Sequence, residues 1–328
     1  MKLKNLLIVF ILCVLASTAT SQMVGGEIAG DDEFYYLVEI EVNYMIPETN
    51  SFLLSPKTKI GGGVIVNEKW ILTVAHIFGN VVEDNISYPP DDIIIKAGTK
   101  DIDSEGEHTQ IKEVSMSAVI RHQNFIQYDS DSYDIALIFL GKDTFNFRKE
   151  QVERALLVDP NLDIPVNTRI TIVGWGLVGV DLDGEEIESD LAHKGNLNLL
   201  PHEKCENSPD WDGFDENYHF CYGCLEGMCS MAADGDSGSP VVMIKDESEI
   251  VVGIHQSSCE EMSEKCTPES PGMGMDIRKF RGWMDEKMQE REAKFAEENA
   301  WRWAWLVKAM GYAGVAATGA FAIYYNYR

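Results

Sequence analysis

The segment Gly235-Asp236-Ser237-Gly238-Ser239-Pro240 sets one serine between glycines, where backbone N–H groups can turn towards a reacting carbonyl oxygen. A serine hydroxyl is a poor nucleophile. It needs an imidazole within hydrogen-bond reach to remove its proton, and a carboxylate behind that imidazole to hold the tautomer. Both groups occur upstream, each beside an apolar run. His76 ends Thr73-Val74-Ala75-His76 after Trp70-Ile71-Leu72, and Asp134 opens Asp134-Ile135-Ala136-Leu137, which continues to Phe139 and Leu140. Each segment alone reads as a turn, a packed histidine or a loop aspartate. Together, in the order His, Asp, Ser, they point to acyl transfer. The other six histidines lack such flanks and read as structural or surface residues.

These residues require elements to carry them. Short strands separated by polar or glycine-containing turns are expected over Tyr35 to Val42, Gly62 to Val66, Trp70 to Val74, Asp92 to Ala97, Ile111 to Ile120 and Asp134 to Leu140. A second set covers Arg169 to Val173, Gly195 to Leu200, Pro240 to Ile244 and Ile250 to His255, and a charged helix follows from Asp276 to about Ala300. No internal repeat or low-complexity linker interrupts them.

Lys2 and Lys4 precede the apolar run Leu6 to Leu15 and the small residues Ala16 to Ser21, the pattern of a signal peptide. Residues 1–22 are therefore expected to be signal peptide and a very short pro-segment, and the rest to enter the secretory pathway. Loss of the two lysines takes the formal charge from −27 to −29. So acidic a chain argues against nucleic acid as a partner. Six cysteines remain after Cys13 is removed, an even number suited to three disulfides in an oxidising compartment. Cys221-x-x-Cys224 has zinc-like spacing but lacks a matching Cys/His pair, so neither a metal nor a cofactor is expected. Asn85-Ile86-Ser87 is a glycosylation sequence.

The flanks of the three residues resemble the chymotrypsin/trypsin family of serine proteases, and the likeness covers residues 23 to about 290. Met23-Val24-Gly25-Gly26 resembles the family's mature N-terminus and Gly61-Gly62-Gly63-Val64-Ile65 the strand before its histidine. Val173-Gly174-Trp175-Gly176 resembles a strand of the second barrel, Pro271-Gly272-Met273 a Pro-Gly turn, and Trp283 the tryptophan of the closing helix. The resemblance implies an all-β fold of two antiparallel six-stranded barrels with a C-terminal helix, and serine endopeptidase activity on protein or peptide substrates. It also implies susceptibility to serine protease inhibitors. His76, Asp134 and Ser237 would be catalytic, the N–H groups of Gly235 and Ser237 would receive the oxyanion, and the ammonium of Met23 would pair with Asp236. Met231, Ala232, Ser258 and Gly272 would form the specificity pocket, and Cys205 would pair with Cys221. Three pairings stay open for Cys224, Cys229, Cys259 and Cys266.

The departures from the family are informative. Gly61 and Ile77 stand where the family places a disulfide beside its histidine, and Ala233 replaces a cysteine four residues before the serine. Gln256-Ser257-Ser258 replaces Ser-Trp-Gly in the segment that pairs with substrate. No carboxylate occupies the pocket positions, so an apolar or small residue is expected before the scissile bond. The altered recognition strand also leaves a different class of function in view, a catalytically silent homologue acting as a binding module.

Beyond the protease region, 23–290, a charged helical stalk is expected over 291–304. The 21 residues from Trp305 to Tyr325 carry one charge, Lys308. As a helix they would span about 31 Å, close to a hydrocarbon core of about 30 Å. Aromatic residues at both ends fit a membrane-spanning helix over 305–325.

Overall fold

The computed structural model describes residues 26–47, 54–83, 85–104, 106–127, 133–180, 186–208, 214–225, 230, 232–258 and 270–312. The signal segment 1–22 and residues Met23, Cys229, Met231, Cys259 and Cys266 lie outside the described residues.

In chain order the strands are β1 (Glu27–Ile28), β2 (Leu37–Pro47), β3 (Leu54–Asn67), β4 (Trp70–Thr73), β5 (Val81–Glu83), β6 (Ile86–Tyr88), β7 (Asp92–Ala97), β8 (Gln110–Val114), β9 (Val119–Arg121) and β10 (Ala136–Phe139). They continue as β11 (Arg169–Gly174), β12 (Gly179–Val180), β13 (Glu186–Ile187), β14 (His193–Leu200), β15 (His219–Gly223), β16 (Pro240–Lys245), β17 (Ser248–Ser257) and β18 (Gly272–Asp276). Two large sheets take up most of them, with β5–β6 and β12–β13 as separate small hairpins.

The second sheet closes. Its order β14-β11-β16-β17-β18-β15 returns to β14 through the β14–β15 ladder, giving a six-stranded ring with β1 added on the outside of β14. The first sheet has the order β8-β7-β2-β3-β4-β10-β9 and seven strands, and no ladder joins its ends among the described residues. The expected pair of six-stranded barrels is thus found as one closed barrel and one open sheet. The physical reason lies in the stretch expected as one strand from Ile111 to Ile120. A 3-10 turn over Met116–Ala118 breaks it, so its first part pairs with β7 and its second with β10.

Side-chain alternation builds the first core. In β7, Ile93, Ile95 and Ala97 point inwards and their neighbours stay partly exposed, the period of a strand with one buried face. The adjoining β4 and β10 are buried along their whole length, so the chain ends that leave them are held by packing on every side.

The chain divides into two compact units, one through Arg281 and one from Gly282. The helix Ile277–Tyr312 opens at the end of the first and runs without a break past residue 290. Within the second unit Lys287 Nζ lies 2.9 Å from Glu290 Oε2 and 3.1 Å from Glu286 Oε1. Among the described residues no helix is long and apolar enough to cross a membrane. The remainder of the expected span, from residue 313, lies outside the described residues.

Candidate active site

Two neighbouring strands of the first sheet deliver the acid and the base. β4 and β10 are antiparallel with Ala136 opposite Thr73. The residue just before β10 and the residue just after β4 therefore emerge at the same end. Asp134 precedes β10, and His76 opens the 3-10 turn His76–Phe78 that follows β4. The Asp134 side chain is almost wholly buried. Its Oδ1 accepts from the N–H groups of Ala75 and His76 at 2.7 and 2.8 Å. Its Oδ2 lies 2.5 Å from His76 Nδ1, so every short contact of this carboxylate runs to the histidine segment. Next to it, the Tyr133 and Tyr218 hydroxyls meet at 2.5 Å, and His122 stacks on Tyr133 at 4.6 Å between ring centres.

The serine arrives from the second sheet, on the turn before β16. Its Oγ is 2.8 Å from His76 Nε2, completing a line from Asp134 through His76 to Ser237. Two backbone bonds fix that turn: Gly62 N–H donates to Ser237 O at 2.8 Å, and Gly238 N–H donates to His255 O at 2.8 Å. Gly238 has φ +85 and Gly235 has φ +94, a left-handed backbone that side-chain-bearing residues rarely adopt. At Gly235 a Cβ would also stand 3.0 Å from Gly176 Cα. The N–H groups of Gly235 and Ser237 have no partner within the described structure. They are donors in waiting beside the serine.

Asp236 is fully buried behind this loop. Its Oδ1 accepts from Gly176 N–H at 2.9 Å and its Oδ2 from Ala233 N–H at 3.0 Å. Burial nevertheless raises its pKa from 3.8 to about 7, because two neutral donors do not replace the water an ionised carboxylate loses. No cation pairs with it among the described residues, and Met23, its expected partner, lies outside them.

A cavity of about 670 Å³ opens over the line of three. Of the expected pocket residues, Ser258 lies on its described wall, and Ala232 and Gly272 are buried and do not line it. The ring of Tyr222 lies so close over Gly272 that a Cβ there would overlap it. Sequence reasoning missed Tyr222 and assigned His255 to structure alone. His255 lines the cavity, and its Nδ1 is in close contact with the Tyr222 hydroxyl. Burial, assisted by the His76 charge, lowers the His255 pKa to about 3, so the ring is neutral. The available signal was a histidine closing the apolar run Ile250 to Ile254.

The Cys205–Cys221 disulfide is present and joins the short helix Glu203–Glu206 to β15. Cys224 is disulfide-bonded as well. Gly61 and Ile77 face each other, with Ile77 Cδ1 3.3 Å from where a Gly61 Cβ would stand. Asn85, of the glycosylation sequence, is exposed between β5 and β6.

Comparison with known proteins agrees with this architecture. The family model described as Trypsin matches residues 41–284. Trypsin-1 of Salmo salar is 30% identical over 243 residues, covering 74% of this chain and 86% of the relative. Trypsin-2 of the same fish is 31% identical over 229 residues, covering 69% and 84%. The clotting factor G beta subunit of Tachypleus tridentatus is 26% identical over 276 residues, covering 81% and 79%.

Proposed function

The chain belongs to the trypsin family, and from that membership we propose that it is a secreted serine endopeptidase. The observation that carries the reading is the hydrogen-bonded line Asp134, His76, Ser237 beside two unengaged N–H donors.

In this mechanism Ser237 Oγ attacks the peptide carbonyl as His76 Nε2 takes its proton. Asp134 keeps the imidazole in the productive tautomer and stabilises the imidazolium. The Gly235 and Ser237 N–H groups stabilise the oxyanion, and His76 then returns the proton to the leaving amine, releasing it from the acyl-enzyme. Water attacks the ester in the second half with His76 again as base. The buried Asp236 has the environment of a carboxylate meant for a cation, and the ammonium of Met23, freed by trimming, supplies it. A trypsin-type activating cut does not fit, because no Lys or Arg occurs between Lys4 and Lys57. Glycosylation at Asn85 suits its exposed position in the hairpin and a secreted protein.

Reaction with a serine-directed phosphonate is the test. Correctly trimmed protein should be labelled at Ser237, and Ser237→Ala should be inert. If well-folded protein beginning at Met23 takes up no label, the peptidase reading fails and the silent binding module stands.

A further inference from the structure

The cavity wall holds a polar pair that the acyl-transfer chemistry does not use. His255 ends the apolar part of β17 and faces the cavity. Tyr222, on β15, is 1% exposed and sits behind it in close contact with Nδ1. The Tyr222 hydroxyl has two acceptors within reach, His255 Nδ1 and the Met273 carbonyl, and the latter is at 3.4 Å. That is beyond the usual range for an O–H donor, so the hydroxyl donates to Nδ1. A neutral imidazole carries one N–H, and with Nδ1 accepting it resides on Nε2. Nε2 has no protein partner among the described residues. Across the same wall Ser258 Oγ donates to Ala232 O at 2.5 Å, which commits its proton and leaves its lone pairs to accept. His255 and Ser258 thus offer this wall of the cavity a fixed donor and a fixed acceptor.

The surroundings select among ligands for that pair. Glu188, Asp190 and Asp234 lie on the wall, and Lys59 is the one lysine or arginine among its described residues. A carboxylate would meet an uncharged imidazole and an acidic rim, so it gains no ion pair and is repelled. An aliphatic side chain would leave the buried donor unsatisfied, the situation that sites built for hydrogen bonding reject most strongly. A carboxamide satisfies both groups without charge.

We propose that the residue preceding the scissile bond is glutamine, its carboxamide oxygen accepting from His255 Nε2–H and its amide N–H donating to Ser258 Oγ. The proposal rests on the acyl-transfer reading of Ser237, and it replaces the apolar preference expected from the sequence. Tyr222 is a positioning residue, acting through the tautomer of His255.

The test compares kcat/KM of the trimmed protein on matched fluorogenic tetrapeptides ending in Gln, Glu, Leu or Arg, with phosphonate titration of Ser237 alongside. Gln should exceed each of the others by at least about tenfold. In His255→Val the Gln advantage over Leu should fall below about threefold with Ser237 still titrating fully. If that variant does not titrate, Tyr222→Phe, which keeps the ring, is read instead. It should lose on the order of tenfold on Gln while Leu stays within about twofold, a selective loss that a merely structural role would not produce. A full titration with Leu, Glu or Arg cleaved as well as Gln overturns the glutamine proposal and spares the peptidase reading. A Gln advantage that survives in a fully titrating His255→Val, or in Tyr222→Phe, overturns it equally. Absence of titration in the wild-type protein sinks both.

Discussion

The sheet that supplies His76 and Asp134 contains no cysteine, while the ring that supplies Ser237 and His255 carries Cys205–Cys221 and a second disulfide at Cys224. In the first sheet, β4 and β10 are buried throughout and in register, so packing, the ladder and the Asp134 hydrogen bonds hold the ends carrying His76 and Asp134 without a disulfide. The ring has register shifts at Val241/Val242 and at His255/Ser257. Its strand β18, Gly-Met-Gly-Met-Asp, offers glycine where the first sheet has isoleucine. The first sheet has a shift of its own, at Ile65/Asn67 between β3 and β4, but the β4–β10 ladder that places His76 and Asp134 is regular, and the cystines lie with the ring.

The strongest break of that contrast is Asp134→Asn. It leaves both backbone donors an oxygen to bind and should lower kcat by about 10⁴, with the fold unchanged by circular dichroism. Next comes Asp236, which has no cation beside it among the described residues. Its pKa of about 7 against 3.8 means that the folded state keeps a proton the unfolded chain has released. Stability from this group is full below pH about 3.8 and is lost as pH rises through about 7. Protein retaining Gln22 should therefore fall behind protein beginning at Met23 between pH 4 and 7. By neutral pH the gap should reach about 3 to 5 kcal/mol, read as diverging Tm curves. Equal curves would remove the Met23–Asp236 pair.

Gly235→Ala tests the turn itself, because an alanine resists φ +94 and meets Gly176. It should cost on the order of 10² to 10³ in kcat while Ser237 and His76 stay hydrogen-bonded. Replacing Cys205 and Cys221 together by serine opens a cross-link with a sequence separation of 16. That should remove about 3 kcal/mol of stability by denaturant unfolding. The smallest effect sharpens the comparison from the other side. Ile77→Val, where the first sheet substitutes packing for a cystine, should cost about 1 kcal/mol. A loss as large as that of the cystine would mean that a single side chain carries its work.

The sequence made legible whatever is local in the chain. His76 and Asp134 sit at the ends of short apolar runs, Ser237 sits in a glycine frame, and those three are brought within hydrogen-bond distance. Strand positions such as Asp92–Ala97 matched because one buried face imposes period two. The extension of β3 back to Leu54 was hidden, since Lys57, Thr58 and Lys59 are polar on both faces of a hairpin arm. The break at Met116–Ala118 was hidden too, in a stretch whose polarity pattern runs on across it. Tyr222 and His255 are 33 positions apart and meet only because the ring closes, and no local pattern in either segment announces the other. Of the expected pocket residues, Ser258 lies on the cavity wall and Met231 lies outside the described residues, and no local pattern announces which ring reaches that wall.

The acidic wall also bears on how fast a substrate arrives. Glu188, Asp190 and Asp234 surround a cleft on a chain of formal charge −27, and such a cleft concentrates cations at its mouth. Peptides with lysine or arginine outside the cleaved pair should be captured quickly in dilute buffer. That advantage should fade as added salt shortens the Debye length to about 8 Å near 0.15 M. Ionic strength would then rank substrates by their flanks, independently of the residue that enters the pocket.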